Sequence, residues 1–130
     1  VQLRMREIAR QLLRQAEKDY DVAKQNLKLG NYYVTAFFCQ QASEKLLKAV
    51  LIHEGAKPPR VHDLVVLSDL LRGIVPTWMP ADKELRFLTQ GASLFRYPGE
   101  SATREKAETA MTICTRLREA MLKLIDEGRA

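Results

Sequence analysis

Apolar residues recur at steps of three and four along almost the whole chain, and that spacing restricts it to packed amphipathic helices. The first run places Ile8, Leu12, Ala16, Tyr20, Ala23 and Leu27 on one stripe of a long helix. Gly30 stops it, and Asn31 offers a side chain to accept the first free N–H of the next helix. A second helix is expected from about Tyr32 to His53, closed by Gly55 and the Lys57-Pro58-Pro59-Arg60 loop, with Phe38, Cys39, Ala42, Leu46, Ala49 and Val50 on one broad arc. His62-Asp63 opens a shorter helix with Leu64, Leu67 and Leu71, ending at Gly73. Pro80 starts a fourth, carrying Leu85, Leu88, Ala92 and Phe95 up to Pro98-Gly99, and a fifth begins near Ser101 and repeats Ala107, Ala110, Cys114, Leu117, Met121 and Leu124. With no strand pattern and short connections, the fold class is all-α: an antiparallel up-and-down bundle of about five helices with a four-helix-bundle-like core, forming one domain over residues 1–130.

Composition narrows the function classes. With 130 residues, 46% of them hydrophobic, the chain can build one continuous core. The net charge of +5 favours an anionic partner, yet the basic residues are dispersed among sixteen acids, as on a solvating surface. Cys39 and Cys114 lie in apolar helical stretches with no metal-ligand spacing around them, which marks them as reduced core residues. No apolar run approaches the ~20 residues that span a bilayer, and the N-terminal segment alternates charged with apolar residues, so the expected location is the cytoplasm, away from membranes. A Gly-rich phosphate loop, a paired-histidine metal site and a serine nucleophile motif are all missing, which removes the common enzyme signatures and predicts no required cofactor or metal.

The second helix carries the most informative polar residues. Relative to Gln40, the residues Gln41, Glu44, Lys45 and Lys48 fall at about 100°, 40°, 140° and 80° on the helical period, so all five share one face. A solvated face with a Glu44–Lys48 pair would explain the pattern. Phe37, Leu51 and Ile52 bracket the same arc, however, and large apolar groups seek cover, so burial by another helix or by a second subunit is the competing expectation.

These residues also carry a family likeness. The order GNYYVTAFFCQQASEKLLKAVLIHEG, then HDL, then RYPG resembles the HEPN domain of prokaryotes and higher eukaryotes, in its prokaryotic stand-alone type. Its diagnostic core is Gln41-Ala42-x-Glu44-Lys45-x-x-Lys48-Ala49 with His62-Asp63-Leu64 and Arg96-Tyr97-Pro98, and the likeness runs from about Ala16 to Ile125. The resemblance implies a helical bundle that forms a homodimer, pairs with a minimal nucleotidyltransferase as in toxin–antitoxin systems, and takes a nucleotide such as ATP or RNA. Gln41, Glu44, Lys45, Lys48, His62, Arg96 and Tyr97 are the candidate nucleotide or partner site.

Catalytic relatives are metal-independent ribonucleases marked by an Arg, four to six residues, then a His. That motif is absent here. His53 would need an arginine among Leu46, Leu47 and Lys48, and His62 one among Gly55, Ala56 and Lys57. Arg96 is followed by no histidine before the last helix, so proton transfer near neutral pH has no obvious carrier there. No catalytic residue is therefore assigned, and a divergent ribonuclease toxin built on Arg96, Tyr97 and a lysine is the alternative, alongside a structural dimer whose polar stripe sets pairing register.

Several residues support two readings. Arg96 and Tyr97 either cap and pack a helix end or offer a phosphate fork and a stacking ring. His62 either caps the third helix or serves chemistry, and Trp78 is either a lid on the bundle end or a partner contact.

Overall fold

The computed structural model describes residues 3–78, 80–94 and 101–127. Five helices follow one another: α1 (Leu3–Leu29), α2 (Tyr32–His53), α3 (Leu64–Ile74), α4 (Asp82–Leu94) and α5 (Arg104–Glu127). No strand occurs among the described residues, and none of their helices is long and apolar enough to cross a membrane. This is the all-α bundle expected from the periodicity.

The turns after α1 and α2 are built alike. Gly30 (φ 81°) and Gly55 (φ 86°) both take the left-handed conformation. In the first turn Gly30 N donates to Leu27 O and Asn31 N to Asn26 O; in the second, Gly55 N donates to Ile52 O and Ala56 N to Leu51 O. This paired closure satisfies carbonyls that a helix end would otherwise leave free, and glycine is favoured because a Cβ strains the backbone there. Asn31 departs from expectation: its side chain makes no capping bond and instead donates from Nδ2 to Asn26 Oδ1 at 2.9 Å, bracing the same turn.

Other helix boundaries moved by small amounts. Asp63, not His62, caps α3, accepting from Val65 N at 2.9 Å. The helix runs past Gly73 to Ile74, because Val75 N still finds Leu71 O at 2.7 Å before Pro76 ends the pattern. Pro80 lies two residues ahead of α4, whose first turn closes on Ala81 O, and α5 starts at Arg104 with Thr103 accepting from Lys106 N. Phe95, expected on the α4 stripe, lies outside the described residues.

α2 is the central element and touches each of the other four helices. Its expected arc is buried except for Phe38, which is half-buried against the core, and Leu47, Leu51 and Ile52 beyond it are buried too. The small residues Ala9, Ala16 and Ala23 recur every seven positions on α1 and are all buried, facing the alanine-rich α2, where short side chains let two helices approach closely. α5 lies antiparallel to α1: Tyr20 meets Thr115 (2.7 Å), and Glu17, three residues earlier, meets Arg118, three residues later. Leu64, Leu67 and Leu71 of α3 and Leu85 and Leu88 of α4 complete the core. Both cysteines are free and buried, as expected, with Cys39 Sγ 3.3 Å from Met111 Sδ.

Candidate functional site

The α2 stripe is not a plain solvated face, because Gln40 and Glu44 are buried within the chain. Helical spacing stacks Gln40, Glu44 and Lys48 at successive i,i+4 positions, and the segment leading into α3 brings His62 across them. Glu44 is 7% exposed and its two oxygens receive three donors. Gln40 Nε2 and His62 Nδ1 each lie 3.0 Å from Oε1, and Lys48 Nζ lies 3.0 Å from Oε2. Gln40, itself buried, also donates to the His62 carbonyl at 3.0 Å and accepts from Gln41 Nε2 at 2.7 Å.

Burial is the largest single influence on the Glu44 carboxyl and pushes its pKa up. The hydrogen bonds from Gln40, Lys48 and His62, with the Lys48 charge, together outweigh it and hold the pKa below its ordinary value. Glu44 is therefore an anion that can only accept, which places the hydrogen of this contact on His62 Nδ1 and leaves Nε2 as the free ring nitrogen.

Lys45 points to the other side and pairs with Asp19 of α1. The stripe thus divides: Lys45 ties α2 to α1, while Gln40, Gln41, Glu44, Lys48 and His62 form one network beside the entry to α3. Of the apolar residues that bracket it, Leu51 and Ile52 are buried within the chain, and Phe37 is half-buried with its ring edge-on to Phe38 at 5.3 Å. His62 reaches the network from a loop position, with its side chain 82% exposed. Arg96 and Tyr97 lie outside the described residues.

Spacing alone did not reveal Gln40 as a hinge of the network, nor Asp19 as the partner of Lys45. The first had a signal, the i,i+4 step to Glu44; the second follows only once the Gly30 turn folds α1 back along α2. Trp78 takes the lid position: its indole Nε1 donates to Ser68 Oγ at 2.9 Å, and its ring packs on the core beside a cavity of about 220 Å³ lined also by Leu85, Ile113, Arg116 and Leu117. No group of three or more His, Cys, Asp or Glu side chains among the described residues is placed to hold a metal ion.

The HEPN domain model matches residues 9–125. The chain belongs to the HEPN family. Solved structures agree: the crystal structure of an archaeal HEPN homologue superposes with a TM-score of 0.72 at 26% identity, covering 90% of this chain and 97% of that one. A crystal structure of a protein from Thermus thermophilus gives a TM-score of 0.72 at 25% identity, covering 92% and 97%. Comparison with curated proteins finds no match. In this HEPN chain Gln41, Lys48 and His62 of the diagnostic residues join one network around the buried Glu44 carboxylate, while Lys45 of the same run pairs with Asp19.

Proposed function

We propose that this HEPN domain is a binding module that takes the phosphates of a nucleotide such as ATP, alone or carried by a minimal nucleotidyltransferase partner, at the solvent edge of the Glu44 network. The observation that carries this reading is the convergence of Lys48 and His62 on the two oxygens of one buried carboxylate. The Lys48 ammonium and the His62 ring are thereby fixed side by side before any ligand arrives, which lowers the ordering cost of binding. Lys48 supplies a cation, and Gln41 adds an amide at the same edge. Arg96 and Tyr97 belong to the proposal through the family likeness, as phosphate fork and base-stacking ring.

Cover for Leu51 and Ile52 comes from the same chain. Homodimer formation stays part of the proposal as a separate claim.

The test is calorimetric titration of the full chain with ATP, repeated with Lys48→Ala, His62→Ala and Arg96→Ala. Loss of a phosphate contact by Lys48→Ala should weaken binding by about tenfold, as expected for about 1.4 kcal/mol from a charge-assisted bond. Undiminished binding in all three variants would remove this site from the claim. Co-purification with a nucleotidyltransferase, lost in the same variants, would identify the partnered form.

A further inference from the structure

His62 combines two properties that seldom occur together. Its imidazole is 82% exposed, yet its Nδ1 is held 3.0 Å from a carboxylate oxygen of Glu44, whose side chain is 9% exposed. Its backbone is pinned as well, because the buried Gln40 amide donates to the His62 carbonyl at 3.0 Å. Loop side chains with that exposure ordinarily sample several rotamers, and here both ends of the residue are fixed from inside the bundle.

The contact is not needed to satisfy Glu44, whose two oxygens already receive Gln40 and Lys48. Nor does it cap α3, a task performed by Asp63. What it does achieve is chemical: a carboxylate on Nδ1 selects one tautomer and leaves the Nε2 lone pair directed away from the protein. A base acting on a small bound substrate works best where water is excluded. An oriented and exposed nitrogen suits the opposite case, in which a reactive group must be reached by the active site of another macromolecule.

We propose that His62 is a phosphoryl-acceptor site, modified at Nε2 by a phosphoramidate-type donor such as a phosphohistidine on another protein. The Nε2 lone pair attacks phosphorus, a new N–P bond forms, and the donor's P–N bond breaks with its electron pair leaving on the donor nitrogen. One N–P bond replaces another, so no oxidant or further co-reactant enters. The ring already carries its hydrogen on Nδ1, so it becomes an imidazolium on transfer, and the Glu44 carboxylate at 3.0 Å stabilises that charge. Lys48, bound to the other Glu44 oxygen, adds a cation near the incoming phosphoryl group. This site depends on the Glu44–His62 geometry alone and stands whether or not ATP binds the chain.

The sequence makes the test clean, because His53 and His62 are the only histidines. The full chain is incubated with phosphoramidate, whose nitrogen is already protonated and leaves as ammonia, and the products are followed by phosphorus NMR and peptide mapping. Phosphorylation is expected at His62, on Nε2 only, at least about tenfold faster than the same residue reacts in the urea-unfolded chain, the scale of effect of a carboxylate behind a histidine. Glu44→Gln should reduce the rate toward the unfolded value, and His62→Ala should abolish that resonance while His53 keeps its own reactivity. Modification at Nδ1, or equal rates in the native and unfolded chain, overturns the proposal. Should Glu44→Gln fail to fold, the native and unfolded rates and the modified ring position decide without it.

Discussion

Replacing Glu44 by Gln preserves the shape of the side chain and removes its charge, which isolates what the buried carboxylate contributes. Gln40 keeps the His62 carbonyl as a second acceptor, and the exposed His62 ring can turn to water, so neither group is orphaned. Lys48 is different. Its side chain is 17% exposed and its ammonium would face an amide with one acceptor oxygen contested by three donors. A hydrogen bond to a charged group contributes about 1.5–3 kcal/mol, and breaking a fully buried pair costs about 3–5 kcal/mol. Because the ammonium keeps some access to solvent, Glu44→Gln should destabilise the fold by about 2–3 kcal/mol at neutral pH. The loss should also depend on pH. The folded pKa of Glu44 is held below its ordinary value of 4.5, so its stabilising contribution is fully present above that value and is lost as pH falls through the lower folded one. Urea unfolding of both proteins across an acid-to-neutral series, at matched slopes, measures the difference directly. A difference below about 0.5 kcal/mol at neutral pH, the range of an exposed ion pair, would refute the reasoning. So would a difference that persists unchanged at the acid end.

Further measurements address the scaffold. Leu47→Ala, at a fully buried position on α2, should cost about 2–5 kcal/mol in denaturant unfolding, because α2 packs against every other helix and cannot collapse around the void. Tyr20→Phe retains the ring beneath Arg118 and removes the 2.7 Å bond to Thr115; a loss of about 1 kcal/mol is expected from the same assay. Gly55→Ala meets no atom within 4 Å yet must adopt φ 86°, so it should lower stability by about 1 kcal/mol through backbone strain. The Cys39 thiol is pushed up by its hydrogen bond with Cys114 and by burial; neither cysteine should react with a thiol reagent until the chain is unfolded, as a colorimetric time course would record.

Helix number, order and inner faces were legible in the sequence because they depend on local quantities: the period of apolar residues, and glycines placed where a helix must turn back. Leu64, Leu67 and Leu71 illustrate this, each expected on a stripe and each fully buried. The likeness to the HEPN family was equally legible, being carried by the runs around Gln41, Glu44, Lys48 and His62. Helix termini were less so, since Asp63, Ala81 and Thr103 close their helices through bonds that depend on backbone angles as well as residue type.

The polar stripe marks where sequence reasoning stops. Spacing put Gln40, Gln41, Glu44, Lys45 and Lys48 on one face but could not say whether water, a second subunit or the chain itself covers it. That answer depends on contacts between residues far apart in sequence: the Gly30 turn aligns Asp19 with Lys45, and the loop after Gly55 returns His62 over Glu44. A helical period determines which side chains share a direction. Only the tertiary structure decides what meets them there, because burial and charge pairing arise from the path of the whole chain.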